Sequence, residues 1–344
     1  MTKILLTGAS GYIGKHIALE LLNNGYQVRA SVRNMAKSQE VIDAVKPFLT
    51  DQDSLSSKLS FVELDLEKDF GWSDALNGID VLMHTASPFP LASPKDENDL
   101  IRPAIDGTMR ALRAAKASGV KRIILTSSIA AVNGCDLPAG ISEYSEDHWT
   151  DTNHKLGSAA YTKSKTMAER AAWDFVKNEA PEIELTTINP GVVFGAPLDN
   201  NFGSSVSVIE RLLKGKDPMM PDLSFGIVDV KDVAKMHVQS IDTEATKGER
   251  ILAHSGSMSF MDMALVIKTA HPKSKIKVKQ APDFLIKILS LFDKEIKSVV
   301  SRLGRPMTIS NAKAKALLGY SFIPAEVSVK ETAEFLVSRG LVKI

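Results

Sequence analysis

The N-terminal segment constrains the fold of this chain more than any other part of the sequence. An apolar run, Ile4–Leu6, predicts a buried strand, and a helical pattern begins at Tyr12. Three glycines follow the apolar run in a G-x-x-G-x-x-G pattern, which lets the backbone approach a pyrophosphate closely. The first N–H groups of the helix would then face the anion. The segment therefore predicts a dinucleotide site contacted by Gly8, Ser10, Gly11, Tyr12, Ile13 and Gly14.

Strand-like and helix-like segments alternate through the first 190 residues. The predicted strands are Lys3–Thr7, Gln27–Val32, Leu59–Glu63, Val81–Thr85, Arg122–Ser127 and Glu184–Asn189. The predicted helices are Tyr12–Asn23, Ala36–Leu49, Leu100–Ser118 and Ala160–Asn178. Several strands are continuous apolar or β-branched runs, as expected for strands buried on both faces. The alternation predicts an α/β fold with a doubly wound parallel sheet of the Rossmann type.

The pattern changes after Pro190, where Gly, Pro, Asn and Met become frequent. A strand end and a helix follow at Ile227–Ser240, then a strand at Arg250–Ala253 and a late helix at Glu326–Arg339. We expect a dinucleotide-binding domain made of residues 1–190 and 226–256. A smaller C-terminal substrate lobe would comprise residues 191–225 and 257–344.

The amphipathic segment Asp283–Leu303 allows two interpretations. It could be a helix that lies on a membrane surface, or a lobe helix packed on substrate or core. Lysines at positions 287, 294 and 297 interrupt its apolar residues and favour the lobe helix.

The balance of charge argues against several classes of protein. The 42 basic and 41 acidic residues leave a formal charge of +1, so no nucleic-acid partner is expected.

A single cysteine, Cys135, excludes an internal disulfide framework and a cysteine-built metal site, and we expect no metal. The predicted first strand leaves no room for a signal peptide, and no apolar run is long enough to span a membrane. We therefore expect a cytoplasmic protein.

The end of the second predicted strand indicates which dinucleotide binds. An acidic residue there would accept a hydrogen bond from the ribose 2′-hydroxyl of NAD, but this chain has Arg33, followed by Lys37. Their positive charges favour a 2′-phosphate and therefore NADP. Asp65 is placed to accept from the adenine amino group, or it is a solvated turn residue. We expect Thr85, Ala86 and Ser87 to pass beside the nicotinamide ribose.

Three polar segments are predicted to meet at the carboxyl edge of the sheet, where ligands bind in such folds. They are Thr126–Ser128, the start of the helix that carries Tyr161 and Lys165, and Asn189–Gly191. The spacing of four places Tyr161 and Lys165 on one helix face. This arrangement is typical of a site that handles protons and hydride.

These residues suit the reduction of a carbonyl, whose oxygen gains negative charge in the reaction. Tyr161 can donate a proton to that oxygen, and a serine can hold it by a hydrogen bond. The Lys165 ammonium should lower the pKa of Tyr161 and can bind the nicotinamide ribose. Ser127 and Ser128 point to opposite faces of the strand, and the residues alone do not decide which reaches the site.

The motifs together resemble the extended short-chain dehydrogenase/reductases, and within them the dihydroflavonol reductase-like branch. The resemblance covers nearly the whole chain, including 7–14, 28–33, 65–66, 84–88, 122–128, 161–165, 189–191, 228–234 and 310–315. It implies that Ser128 is catalytic with Tyr161 and Lys165, that Leu66 joins Asp65 at the adenine, and that Asn133 orients the substrate. We also expect the cofactor to contact Pro190, Val192 and Val193.

The loops expected to wall the substrate pocket are mostly apolar: Pro88, Phe89, Pro90, Asn133, Val192, Val193, Phe194 and Phe202. Substrate contacts are assigned to Phe89, Ser128, Asn133 and Tyr161. We predict an NADPH-dependent reductase for a modest apolar aldehyde, ketone or α-dicarbonyl. The chain lacks the Asn–Trp–Tyr–Cys signature of cinnamoyl-CoA reductases, and it departs from the plant flavonoid enzymes between Gly134 and Ala160.

Two other functions are compatible with the same fold. The first is an NAD(P)-dependent epimerase or a 3β-hydroxysteroid-type dehydrogenase, which usually carries an acidic residue where this chain has Arg33. The second is a non-catalytic NADP-sensing regulator, which typically loses the tyrosine–lysine pair that is present here. The protein is expected to be a monomer or a homodimer.

Overall fold

The computed structural model of the chain describes residues 1–87, 96–292 and 294–344. Its strands are β1 (Lys3–Thr7), β2 (Gln27–Val32), β3 (Leu59–Glu63), β4 (Val81–His84), β5 (Arg122–Thr126), β6 (Glu184–Pro190), β7 (Val192–Phe194), β8 (Ser224–Asp229), β9 (Arg250–Ala253) and β10 (Gly256–Ser259). The α-helices are α1 (Tyr12–Asn23), α2 (Ser38–Val45), α3 (Leu55–Lys58), α4 (Trp72–Leu76), α5 (Asn98–Ala117), α6 (Ala160–Asn178), α7 (Ser204–Leu213), α8 (Val230–Asp242), α9 (Phe260–Ala270), α10 (Asp283–Leu289), α11 (Lys294–Val299), α12 (Ala312–Leu318) and α13 (Ala325–Ser338).

The main sheet has seven strands in the order β3-β2-β1-β4-β5-β6-β9. All neighbours are parallel, and β1 pairs with both β2 and β4 through Leu5, opposite Arg29 and Leu82. The strand order reverses between β1 and β4, which creates a crevice at the carboxyl ends of these strands. The expectation of a doubly wound parallel α/β sheet is confirmed.

Residues of β1 alternate between two apolar cores. Ile4 and Leu6 belong to the larger core cluster, whereas Leu5 belongs to the cluster on the other face of the sheet. All three are fully buried, because helices cover both faces of a sheet of this type. The continuous apolar run in the sequence therefore reflects a central strand with no solvent-facing side.

The segment predicted as one helix over Ala36–Leu49 is broken into three pieces. A 3-10 turn, Met35–Lys37, precedes α2, and a second 3-10 turn, Lys46–Phe48, follows it. The Asn34 side chain accepts a hydrogen bond from the Ala36 N–H at 2.9 Å, and so starts the first turn. Pro47 lacks an N–H and is tolerated only near the start of a helical turn, so the α-helix ends before it.

A second sheet of three strands, β10-β8-β7, lies beyond the end of β6. In it β8 is antiparallel to β10 and parallel to β7. Gly191 joins β6 to β7, and a Cβ atom there would lie 2.4 Å from the Gly226 carbonyl oxygen. The domain boundary expected at residue 226 falls inside β8.

The amphipathic segment Asp283–Leu303 forms α10, α11 and a 3-10 turn, Val300–Arg302, instead of one helix. Ile286 is buried, whereas Phe284 and Phe292 are 66% and 85% exposed. Only part of its apolar surface is therefore packed against the rest of the chain. Among the described residues, no helix has both the length and the apolar character needed to cross a membrane.

Candidate active site

The glycine turn after β1 has two different structural requirements. Gly8 has a φ of +71°, and a Cβ atom there would lie 2.9 Å from backbone atoms of Ala86. Gly14 lies in α1, and a Cβ atom there would lie 2.1 Å from the Gly8 carbonyl oxygen. The first glycine thus allows an unusual backbone conformation, and the third allows helix α1 to pack against the turn.

A cavity of about 600 Å³ lies at the crevice between β1 and β4. Its walls come from the glycine turn, the ends of β2, β3 and β4, and the start of α5. No side chain caps the N-terminus of α1, so its first N–H groups are available to an anion. The residues predicted from sequence that line this cavity are Gly8, Ser10, Gly11, Arg33, Asp65, Leu66, Thr85, Ala86 and Ser87.

The other predicted cofactor residues are not among those that line this cavity: Tyr12, Ile13, Gly14, Lys37, Tyr161, Lys165, Pro190, Val192 and Val193. The Tyr12 side chain is buried and donates to the Gly195 carbonyl oxygen at 2.8 Å. Ile13 packs against the larger core cluster. Lys37 is paired with Glu40 at 2.7 Å. Their assignment as cofactor contacts stays a prediction.

Thr7 organises the loop that follows β4. Its hydroxyl oxygen accepts hydrogen bonds from the Thr85 and Ala86 N–H groups at 3.1 and 3.2 Å. It also lies 2.8 Å from His84 Nδ1, and the hydroxyl hydrogen is left to donate there. Burial and the nearby Lys165 charge lower the pKa of His84 to about 3, so the imidazole is neutral. This network, which we did not predict from the sequence, positions the loop expected beside the nicotinamide ribose.

Two cationic side chains lie near Asp65, at the end of the cavity where we expect the adenosine. Its pKa lies below the ordinary value, chiefly because the Glu67 N–H donates to the carboxylate at 3.0 Å. Lys68 and Arg33 contribute further by their charges. Asp65 is therefore an ionised acceptor at the wall of the cavity, next to an exposed guanidinium.

Tyr161 and Ser128 meet at the carboxyl edge of the sheet. Ser128 follows β5, Tyr161 lies in the first turn of α6, and their side chains form a hydrogen bond. Lys165 follows one helical turn later. The structure thus brings the three predicted catalytic residues to one place.

The electrostatics of this cluster differ from the sequence-based expectation. Burial raises the pKa of Tyr161, and the hydrogen bond with Ser128 only partly opposes that rise. Burial also lowers the pKa of Lys165 to about 8, although the Glu169 charge raises it. From the sequence, Lys165 is expected to bring the pKa of Tyr161 below its ordinary value; the pKa is instead raised, because desolvation outweighs the opposing hydrogen bond.

The two serines that follow β5 have separate partners. The Ser127 hydroxyl donates to the Glu169 carboxylate, away from Tyr161. The Ser128 hydroxyl oxygen accepts from the Ala130 N–H at 3.1 Å and contacts Tyr161. The alternation along the strand, which left two candidates in the sequence, therefore places only Ser128 beside the tyrosine.

The predicted substrate residues have mixed outcomes. Asn133 is buried, and its Nδ2 lies 3.2 Å from Met307 Sδ of the C-terminal segment. Phe194 is fully buried in the larger core cluster, so its expected place in a pocket wall is wrong. Phe202 is partly buried and packs against that same cluster. Pro88, Phe89 and Pro90 lie outside the described residues.

The donors and walls of the site fit a dinucleotide. The cavity has a glycine cradle that a Cβ would fill, an uncapped helix start and the cationic side chain of Arg33 in its wall. In the parts of the chain that the structure describes, no cluster of three or more His, Cys, Asp or Glu side chains could hold a metal ion.

Comparison with known proteins agrees with this geometry. Residues 4–252 match the family model described as the NAD dependent epimerase/dehydratase family. Cinnamoyl-CoA reductase CAD2 of Medicago truncatula is 33% identical over 336 residues, which cover 97% of this chain and 95% of that protein. Ketoreductase azaE of Aspergillus niger is 32% identical and is matched over 93% of each chain.

A solved structure is similar over almost the whole length. The yeast methylglyoxal/isovaleraldehyde reductase Gre2, crystallised with NADPH, superposes with a TM-score of 0.80 at 26% sequence identity. The match covers 99% of this chain and 100% of that one. The similarity therefore includes both the main sheet and the segments that follow it.

Proposed function

Because the chain belongs to the NAD dependent epimerase/dehydratase family, the extended short-chain dehydrogenase/reductases, we propose that it is an NADPH-dependent carbonyl reductase. The observation that carries this proposal is the hydrogen-bonded pair of Ser128 and Tyr161, with Lys165 one turn further along α6. The pair lies at the carboxyl edge of a sheet whose switch point holds a cavity of about 600 Å³ lined by the glycine turn.

The three side chains have distinct roles in this proposal. Tyr161 donates a proton to the carbonyl oxygen of the substrate, and Ser128 donates a hydrogen bond that stabilises the developing charge. Lys165 holds the ribose of the cofactor and offsets the negative charge that forms on Tyr161. When bound, the nicotinamide supplies the hydride. The Tyr161 phenol is protonated at neutral pH, as a proton donor in the direction of reduction must be, and burial raises its pKa further.

The charge at the adenosine end supports NADPH as the cofactor. Arg33 lines the cavity just after β2, at the position where an NAD-preferring site would carry an acid. A guanidinium can bind a phosphate through two parallel hydrogen bonds, so it discriminates strongly in favour of the 2′-phosphate. The NADPH complex of Gre2 is in line with this choice.

We propose a modest apolar aldehyde, ketone or α-dicarbonyl as the substrate. The names of the similar proteins span methylglyoxal, isovaleraldehyde and cinnamoyl-CoA. This chain lacks the Asn–Trp–Tyr–Cys signature of cinnamoyl-CoA reductases. We assign Asn133 to substrate orientation on the resemblance of its position, and Phe89 to a substrate contact as an apolar residue of a loop expected to wall the pocket.

The test is turnover by the purified protein with NADPH and then NADH, followed by the loss of absorbance at 340 nm. The panel would contain methylglyoxal, isovaleraldehyde, cinnamaldehyde and cinnamoyl-CoA. We expect NADPH-dependent reduction of the small carbonyls, with a Tyr161→Phe variant losing at least about a hundredfold in kcat. Tyr26→Phe is the matched control, since Tyr26 bonds Asp242 at 2.6 Å, remote from the site. Full activity in Tyr161→Phe would refute the mechanism.

A further inference from the structure

A buried carboxylate lies behind the proposed catalytic residues. Glu169 is on α6, eight residues after Tyr161 and four after Lys165, so all three lie along one helix face. Its side chain has no solvent exposure. An ionised group in such a position needs compensating donors or a charged partner, since its desolvation is costly.

The Glu169 carboxylate is surrounded by donors from three different strand ends. Oε2 accepts from the Ser127 hydroxyl, which follows β5, and from Asn189 Nδ2 of β6 at 2.6 Å. Oε1 accepts from Arg250 Nε of β9 at 2.6 Å, with Thr187 of β6 further away at 3.3 Å. One side chain therefore ties α6 to three adjacent strands of the main sheet.

The same network reaches the backbone of Ser128. Asn189 Nδ2 donates to the Ser128 carbonyl oxygen at 3.1 Å as well as to Glu169. Ser128 is thus fixed through its own carbonyl and through its neighbour Ser127. Its hydroxyl meets Tyr161 at a position that depends on this anchoring.

The network also extends outward through Arg250. Its Nη1 donates to the carbonyl oxygens of Glu146 and His148 at 2.6 and 2.9 Å, and its guanidinium lies 3.6 Å from the centroid of the Trp149 ring. These contacts hold the segment between Ser128 and α6 against β9. Arg250 also neutralises Glu169, so the pair is buried without an isolated charge.

We propose that Glu169 is a positioning residue for the reaction: its buried carboxylate joins the helix that carries Tyr161 and Lys165 to the strand ends that carry Ser128. This inference rests on the proposed function, because it assigns those three residues to catalysis. It extends that function to a residue that does not touch the reacting atoms.

Glu169 has an electrostatic effect in addition to the geometric one. Burial lowers the pKa of Lys165 to about 8, and the charge of Glu169, one turn away, opposes that decrease. Of the other groups facing Lys165, His84 from β4 is neutral and Tyr161 stays protonated. Without the Glu169 charge, Lys165 would lose its proton at a lower pH. A residue with a purely structural role would not move that titration.

The experiment measures kcat/KM for NADPH between pH 6 and 10 in the wild-type protein, Glu169→Gln and Glu169→Asp. The pH dependence of kcat/KM reports ionisations of the free enzyme. In the wild-type protein we therefore expect kcat/KM to fall above about pH 8, where Lys165 loses its charge; this fall is the alkaline limb of the profile. Glu169→Gln keeps the shape and removes the charge, so the limb should move down by about one pH unit. Glu169→Asp keeps the charge but has a side chain shorter by one methylene group. We therefore expect kcat to fall about tenfold or more, with the alkaline limb at the wild-type pH.

Asp174→Asn is the matched control, because Asp174 is an exposed carboxylate on the same helix. It should change neither kcat nor the limb. A Glu169→Gln protein that binds NADPH and shows the wild-type kcat and limb would overturn the proposal. If Glu169→Gln does not fold, Glu169→Asp keeps an acidic partner for Arg250 and carries the geometric test, and a wild-type kcat in Glu169→Asp would then overturn the proposal. A wild-type protein without turnover would instead refute the proposed function.

Discussion

The ammonium group of Lys37 lies 2.7 Å from Oε2 of Glu40. The lysine expected at the 2′-phosphate is therefore paired with a carboxylate. Oε1 of the same carboxylate accepts from Lys15 at 2.8 Å, and Lys15 is almost completely buried. Glu40 thus connects Lys37, in the turn before α2, to Lys15 of helix α1.

This pairing predicts unequal roles for the two cationic residues. Arg33 lines the cavity and Lys37 does not, so Arg33→Ala should weaken NADPH binding about tenfold to a hundredfold while leaving NADH binding nearly unchanged. Lys37→Ala should have a smaller effect on NADPH, because that lysine must first leave Glu40. Dissociation constants from fluorescence titration with both cofactors check this. Equal weakening of NADPH and NADH by Arg33→Ala would exclude a phosphate contact.

Removing the Glu40 charge should affect cofactor binding and stability in opposite ways. Glu40→Gln frees Lys37 for the 2′-phosphate and removes a repulsive anion, so NADPH should bind several-fold more tightly. The same change leaves the buried Lys15 with Asp199 as its remaining acidic partner, which should cost about 1–3 kcal/mol of folding free energy. Titration with NADPH and thermal unfolding measure the two effects separately. Tighter binding of NADH to the same extent would contradict this explanation.

Asp232 predicts a pH dependence of folding stability. It accepts hydrogen bonds from the Tyr320 hydroxyl and the Ile323 N–H, both at 2.9 Å, yet burial raises its pKa from 3.8 to about 6. The folded protein therefore binds the proton more tightly than the unfolded chain, and this contribution to stability is lost as the pH rises from about 4 to about 6. The loss should be roughly 3 kcal/mol.

Asp232→Asn provides the comparison. The difference in unfolding free energy between the wild-type protein and this variant should decrease between pH 4 and pH 6, and then level off. Chemical denaturation at four pH values measures it. A difference that is independent of pH would mean that Asp232 has the same proton affinity in both states.

Gly14 predicts a large steric effect of a small substitution. A methyl group there would lie 2.1 Å from a backbone oxygen that cannot move away without displacing the nucleotide turn. We expect Gly14→Ala to cost at least about 3 kcal/mol and to weaken binding of both cofactors equally. Gly25→Ala is the control, since Gly25 has a positive φ but open space around it, and should cost about 1 kcal/mol. Similar melting temperatures for the two variants would contradict the steric argument.

The main sheet and several of the helices that flank it could be predicted from the sequence. Strand β1 and helix α1 match their predicted bounds because an apolar run, a glycine turn and a periodic helix follow one another directly. The strands around them are buried on both faces, which leaves a strong apolar signal. The helix after β2 was predicted less well, because Asn34 and Pro47 impose local turns that helical periodicity does not reveal.

Site residues could be predicted from the sequence where both the residue type and the spacing are informative. They could not be predicted where a contact joins residues that are distant in the chain. Tyr161 and Lys165 are four apart on a helix, so their shared face follows from the sequence. The partner of Ser127 is Glu169, and the partners of Glu169 include Arg250, 81 residues away. In the sequence, this network is indicated only by the position of Glu169, four residues after Lys165.

The order in which the strands of the two sheets follow one another along the chain limits which segments can be exchanged with a relative. The three-stranded sheet takes β7, β8 and β10 from separate stretches, and β9 returns to the main sheet between the last two. A chimaera that imports the C-terminal portion from a relative must therefore bring residues 192–194 and 224–229 with it. If these strands were left behind, β10 would be grafted without the neighbour to which it is hydrogen-bonded. Substrate range would thus be transferred more safely by exchanging surface loops than by exchanging whole segments.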